Sequence, residues 1–164
     1  MKKILVSLLV AAMVGATLTG CGSKTEGGNG AAVEQTSNVS AKEVVDKMLE
    51  QNYIPMPMVL DEAQAKEMYN INLDDIESYE IAETGRMPGV GFIVVAKAKE
   101  GKVDAVKAAV EKIKEDKVGA AFYPEEKEIA EKATVEVNGD FVSLFILNEE
   151  VAQDAENFYK DMIK

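Results

Sequence analysis

The chain has 164 residues, of which 47% are apolar, 29% charged and 6% aromatic, and its formal net charge is −11. That composition and length suit one globular domain of ordinary size. It contains no His, no Trp and a single Cys, Cys21. The missing His removes Ser-His-Asp and Cys-His nucleophiles and imidazole metal ligands, and one Cys forms neither an internal disulfide, a CxxC redox pair nor a cysteine zinc site. The acidic balance argues against a nucleic-acid surface, which needs clustered Lys and Arg. No catalytic residue, metal ligand or cofactor motif stands out, and a non-enzymatic domain is expected.

Lys2 and Lys3 precede an apolar run over residues 4–14 that continues through small residues to Gly20. A positive start, an apolar stretch of this length and a small-residue exit make an export signal, too short for a permanent membrane span. The exit, Leu18-Thr19-Gly20-Cys21, resembles the bacterial lipobox. That resemblance implies a diacylglyceryl group on the Cys21 thiol and cleavage just before it, with Leu18 at −3 and Gly20 at −1. The bland alternative is a Cys in an ordinary apolar segment. Two acyl chains, each worth about 0.8 kcal/mol per buried CH₂, would hold the protein almost permanently on the outer face of the cytoplasmic membrane. Cleavage would remove Lys2 and Lys3 and take the charge from −11 to −13.

Residues 21–39 are the expected lipidated Cys and flexible linker: Gly, Ser, Thr, Asn and Gln dominate after Cys21, with no apolar period. About 18 such residues would have an r.m.s. span of roughly 23 Å. Residues 40–164 then form a single α+β domain. Ser40 and Glu43 make a capping-box pattern, followed by an apolar helical face of Val44, Val45, Met48 and Leu49. Asp61 caps a shorter helix over 61–69, with Ala63, Met68 and Tyr69 as expected contacts. Strands are expected over 76–82 and 90–98, where Val90, Phe92, Val94, Ala96 and Ala98 face one way and Lys97 and Lys99 face out.

The period becomes helical over 102–116, with a stripe of Val103, Val106, Val110 and Ile113, and Pro124 opens a further helical turn. Asn138-Gly139 is a type I′ turn signal, and a hairpin closing on it pairs Val137 with Asp140, Val135 with Val142 and Ala133 with Leu144. Asn148 caps the last helix, whose apolar positions are Val151, Ala155, Phe158, Tyr159, Met162 and Ile163. The expected architecture is a roughly four-stranded antiparallel sheet with helices packed on one face.

Three runs, MYNINLDDIESYEI, GFIVVAKAKEGKVDAVKAAVEKIKEDK and FYPEEKEIAEKATVEVNGDFVSLFI, are similar to a group of small Gram-positive lipoproteins that share an uncharacterised domain, domain of unknown function 4358. The shared markers are Tyr69, Ile71, Asp74, Asp75, Tyr123, Gly139 and Phe141. Asn70 stands where that family often has Gly, and Gly119 falls inside the expected long helix. The resemblance implies fold and location and carries no catalytic residues.

Acidic pairs occur at Asp61-Glu62, Asp74-Asp75, Glu125-Glu126 and Glu149-Glu150. Facing carboxylates could run a glycoside hydrolysis, and oxygen ligands could hold Ca²⁺, but most of these pairs fall at helix starts where they oppose the dipole. The Met56-Pro57-Met58 run could suggest thioether binding of Cu(I), although Met more often fills a core. The 85–91 segment is glycine-rich, yet a strand follows it where a phosphate cradle needs a helix N-terminus. Arg86, the sole Arg beside 17 Lys, is the candidate ligand contact, because its guanidinium can fork onto a carboxylate or phosphate. Three readings result: a lipid-anchored accessory domain binding an envelope protein or small ligand, a carboxylate-dependent envelope hydrolase, and a structural spacer.

Overall fold

A computed structural model describes residues 38–164. The expected signal segment, Leu18, Thr19, Gly20, Cys21 and nearly all of the linker lie outside the described residues. The elements run α1 (Ala41–Glu50), β1 (Pro57–Val59), α2 (Glu62–Tyr69), a 3₁₀ turn (Leu73–Asp75), β2 (Ile76–Thr84), β3 (Phe92–Ala98), α3 (Val103–Ala120), α4 (Pro124–Lys132), β4 (Val135–Asn138), β5 (Phe141–Ile146) and α5 (Glu149–Met162). The strands form one sheet in the order β1-β2-β3-β5-β4, with every neighbouring pair antiparallel. The α+β class and the antiparallel sheet are as the sequence leads one to expect.

Two features go beyond that expectation. The sheet has a fifth strand, β1, at one edge, and helices cover both faces rather than one. The second cover follows from the central strands, which are apolar on both sides as doubly covered strands are. On one face Phe92, Val94, Ala96, Val142, Leu144 and Ile146 pack against α2, α3 and α4. On the other, Ile93, Val95 and Phe141 meet Val44, Val45 and Met48 of α1 and Ala155, Tyr159 and Ile163 of α5. Lys97, expected to face outward, stays largely covered, forming ion pairs to Glu77 at 3.2 Å and Asp140 at 3.8 Å while its ammonium sits over the Phe141 ring.

The local signals act as their chemistry dictates, with some shifts of phase. The Ser40 hydroxyl accepts from the Glu43 N–H at 3.2 Å. Asp61 and Gln64 form a full capping box on α2, and this start turns Ala65 and Tyr69 inward, leaving Met68 exposed and Ala63 exposed. Asn70 ends α2 in the left-handed region at φ 49°, a conformation that its short polar side chain tolerates better than most others do. Gly119 does not interrupt α3, which continues to Ala120. Asn148 precedes α5 as expected but makes no side-chain cap.

The β4–β5 hairpin turns one residue later than expected, which shifts each cross-strand partner by two. Asn138 pairs with Phe141, Val137 with Val142 and Val135 with Leu144, so the two loop residues are Gly139 and Asp140. Gly139 has φ 62° and Asp140 does not share that sign, the pattern of a type II′ turn, which also suits the sheet twist. A slip of two preserves which face each side chain takes, and Val135, Val142, Leu144 and Ile146 still share one core. At the opposite edge, Met56 and Leu60 hydrogen-bond to β2 through Gly85 N–H and Ile81 C=O. The alternation places Pro57 on the outward-facing positions, where its missing N–H costs nothing and blunts the free edge.

Candidate functional site

The β2–β3 connection carries Arg86 and is pinned on all sides. At its base the Thr84 N–H donates to Gly91 C=O at 2.8 Å and the Gly85 N–H to Met56 C=O at 2.9 Å. The Thr84 hydroxyl donates to Pro55 C=O at 2.7 Å and accepts from the Arg86 N–H at 3.2 Å. Farther along, the Gly89 N–H donates to Glu126 Oε1 at 3.1 Å, which ties the loop to the first turn of α4. Two glycines are required sterically. A Cβ on Gly89 would lie 2.8 Å from the Arg86 carbonyl oxygen, and one on Gly91 would lie 2.9 Å from Ile54 Cγ2.

Arg86 itself is exposed and, among the described residues, makes no ion pair, although most of the lysines around the molecule do. It lies on the shared lip of two shallow depressions. One, of ≈ 320 Å³, runs toward Tyr123, Glu125 and Asn148. The other, of ≈ 270 Å³, has an apolar lining of Val90, Phe92, Ala121, Ala130 and Ile146, with Met87 and Lys117 on its rim. Large apolar side chains stand free around it: Met87 is 87% exposed, Phe122 82% and Met56 70%. A Cβ on Gly85 would touch Met58 Sδ at 3.2 Å, so the methionines of the 56–58 run lie beside the same loop.

Lys117 is the second cation of this end of the molecule, and it is engaged. Its ammonium is 2.6 Å from Glu83 Oε2 and sits 4.3 Å from the Phe92 ring centroid and 5.3 Å from that of Tyr69. The Tyr69 hydroxyl donates to the same carboxylate oxygen at 3.4 Å. Burial, then the neighbouring Glu83 charge, pushes the Tyr69 hydroxyl well above the ordinary tyrosine value. No local pattern announces this cluster, because its members come from α2, β2, β3 and α3.

The acidic pairs take separate places. Asp61 caps α2, Asp74 and Asp75 lie in the 3₁₀ turn, and Asp75 pairs with Lys102 at 2.8 Å. Glu125 and Glu126 open α4 and Glu149 and Glu150 open α5, and Glu125, Glu128, Glu149 and Glu150 border a shallow depression of ≈ 490 Å³ with Lys132 among them. Lys132 holds the Glu149 carboxyl below the usual range. The acid raised by burial, Glu80, lies instead under Lys42 of α1. Among the described residues no three Asp, Glu, Cys or His side chains converge as metal ligands, and no helix is long and apolar enough to cross a membrane.

A five-stranded antiparallel sheet between two helical layers, with a pinned, arginine-bearing hairpin loop, defines the class of domain. The chain belongs to the family of domain of unknown function 4358 (DUF4358), which matches residues 51–147 and so spans the whole sheet. Neither a curated protein sequence nor a solved structure matches the chain.

Proposed function

We propose that this protein is a lipid-anchored, non-enzymatic binding module of the cell envelope, held on the outer face of the cytoplasmic membrane through Cys21 and presenting its Arg86 end to a partner. The lipobox-like residues Leu18, Thr19, Gly20 and Cys21 support the anchor. The observation that carries the binding role is the rigidly tied Arg86, without a counter-ion and ringed by exposed Met and Phe. Arg, Met and aromatic residues are the types enriched where proteins meet.

The polarity of the domain agrees with this reading. The Ala41 N–H donates to the Ser78 hydroxyl at 3.0 Å, so the described chain begins beside the start of β2. Arg86 follows the far end of the same strand, roughly 25 Å away at about 3.3 Å per residue. A flexible tether attached at the first end therefore leaves the second free to meet a partner. A structural spacer would have no use for a free guanidinium and an apolar rim there.

Two measurements test the proposal. Incorporation of labelled palmitate into the full chain, but not into Cys21→Ala, is expected; labelling of both or neither removes the anchor. A photo-reactive residue replacing Met87 in intact cells should give a discrete cross-linked product that the same residue at Glu111, on the exposed side of α3, does not. Equal patterns at both positions would overturn the binding role.

A further inference from the structure

We infer that the depression between the Arg86 loop and the α3–α4 junction recognises the free C-terminal carboxylate of a partner chain ending in an apolar residue. Arg86 would take the carboxylate and the well over Phe92, Ala130 and Ile146 the last side chain. The inference rests on the binding role proposed above and specifies the chemistry of its partner.

Size is the first argument. At ≈ 270 Å³ and open to solvent, the well falls below the roughly 300–1,000 Å³ that encloses a cofactor or drug-sized ligand. It has room for one or two side chains. Charge is the second. Of the two cations on its rim, Lys117 is already neutralised by Glu83 at 2.6 Å, and its ammonium is further occupied by the Phe92 face. Glu126 also lines the hollow, with one carboxylate oxygen on the Gly89 N–H. Arg86 has no ion-pair partner among the described residues and stands beside the apolar hollow, and a chain terminus supplies one carboxylate beside one side chain. A bidentate fork onto both carboxylate oxygens suits guanidinium geometry better than any single-oxygen acceptor.

Preorganisation is the third argument. The loop is fixed at both bases, at Arg86 N–H and at Gly89, so its backbone needs little ordering when a ligand arrives, and the cost that remains is that of holding the exposed Arg86 side chain. An internal Asp or Glu would bring its carboxylate on a chain that continues in both directions over the surface, whereas a terminus leaves only one direction of chain to accommodate beside the hollow that Ala120 and Ala121 help to line.

The test uses the full chain in non-ionic detergent and short peptides ending in Leu, titrated calorimetrically. A Kd on the order of 0.1–1 mM is expected for the free acid. The C-terminal amide of the same peptide should bind about ten- to hundredfold more weakly. Arg86→Gln should erase the difference between acid and amide. Ala121→Leu, which fills the lip of the well without touching the core, should weaken the Leu-ended peptide more than a Gly-ended one. Equal binding of acid and amide, no saturation below about 10 mM, or equal binding of inorganic phosphate or of a peptide with only an internal Asp would each overturn the inference. Cross-linking at Met87 that persists in any of those cases would keep the broader binding role and discard only the terminus.

Discussion

Lys117 and Glu83 meet at 2.6 Å across the mouth of the candidate site, each only about a fifth exposed, at 24% and 19%. The ammonium also faces two aromatic rings, so the pair ties α3 to β2 and closes one wall of the hollow beside Arg86. Removing one partner leaves a half-buried charge without its counter-ion, which costs more than removing both.

Lys117→Ala and Glu83→Ala are each expected to lower stability by roughly 1–3 kcal/mol, and the double variant by less than their sum. A double-mutant cycle by urea denaturation measures this directly. A coupling near zero would mean that solvent already carries both charges. Because the pair is partly shielded, raising salt to about 1 M should reduce the coupling only modestly.

Tyr159 offers a contrast, a buried hydroxyl without a well-formed hydrogen bond. It lies wholly inside the core between α5 and the sheet, edge-on to Phe145 at 5.2 Å between ring centroids. Tyr159→Phe should therefore stay within about 1 kcal/mol of the parent, on the stabilising side, whereas Tyr159→Ala should lose about 3–5 kcal/mol. Thermal melting of the two variants separates these outcomes.

The same residue sets an alkaline limit. Burial pushes the hydroxyls of Tyr159 and Tyr53 up to about 12, and the Asp154 carboxylate accepting from Tyr53 adds to its shift. Both groups are thus easier to ionise unfolded, at about 10, than folded. Their stabilising contribution is complete below pH 10 and is lost as pH rises from about 10 to about 12. Tyrosinate absorbance should lag behind that of a denatured control in this window and then rise together with loss of helical signal. Titration indistinguishable from the denatured chain would contradict the burial of these rings.

How far the molecule can be read from its letters depends on the range of the interactions. Asp61, Pro124 and the Val106, Val110, Ile113 stripe act within a few residues of themselves, and their elements form where local chemistry places them. The second helical layer was missed although its signal is local: the run Phe92-Ile93-Val94-Val95-Ala96 has no polar face, and a strand with water on one side would have one. The hairpin register was not legible, because Asn138-Gly139 and Gly139-Asp140 are both acceptable turns. The choice is made by pairing of Val135 with Leu144 and by the β3–β5 ladder. Arg86 was distinguishable as the sole Arg, but its setting was not. Its loop is held by Glu126, Pro55 and Met56, and no short-range pattern brings those to residue 89 or 84.

Met56 holds a left-handed backbone at φ 49°, while its carbonyl accepts from Gly85 at the base of the Arg86 loop. A side chain in that region costs roughly 1–2 kcal/mol relative to the right-handed alternatives, a penalty glycine does not incur. The side chain is 70% exposed, so little packing is lost on truncation. Met56→Gly should thus raise stability by about 0.5–1 kcal/mol, or roughly 2–5 °C in Tm. If the exposed thioether belongs to the binding face, this more stable variant should nonetheless cross-link less well from position 87. A drop in Tm would show that the strain is offset by contacts of the Met side chain.

Gly89 separates the folding of the domain from the posture of its loop. Any Cβ there would press on the Arg86 carbonyl, a backbone atom only 2.8 Å away, so the chain between the two residues has to move. The Gly89 N–H would then leave Glu126, and Arg86 would lose one of its ties. The core lies elsewhere, and Gly89→Ala should cost only about 1–3 kcal/mol and keep the cooperative transition. Amide exchange over residues 85–91 should accelerate at least tenfold while β3 and α4 remain protected. Exchange unchanged across the loop would mean that the turn accommodates a methyl group without giving way, and that the tie to Glu126 does not control how Arg86 is held.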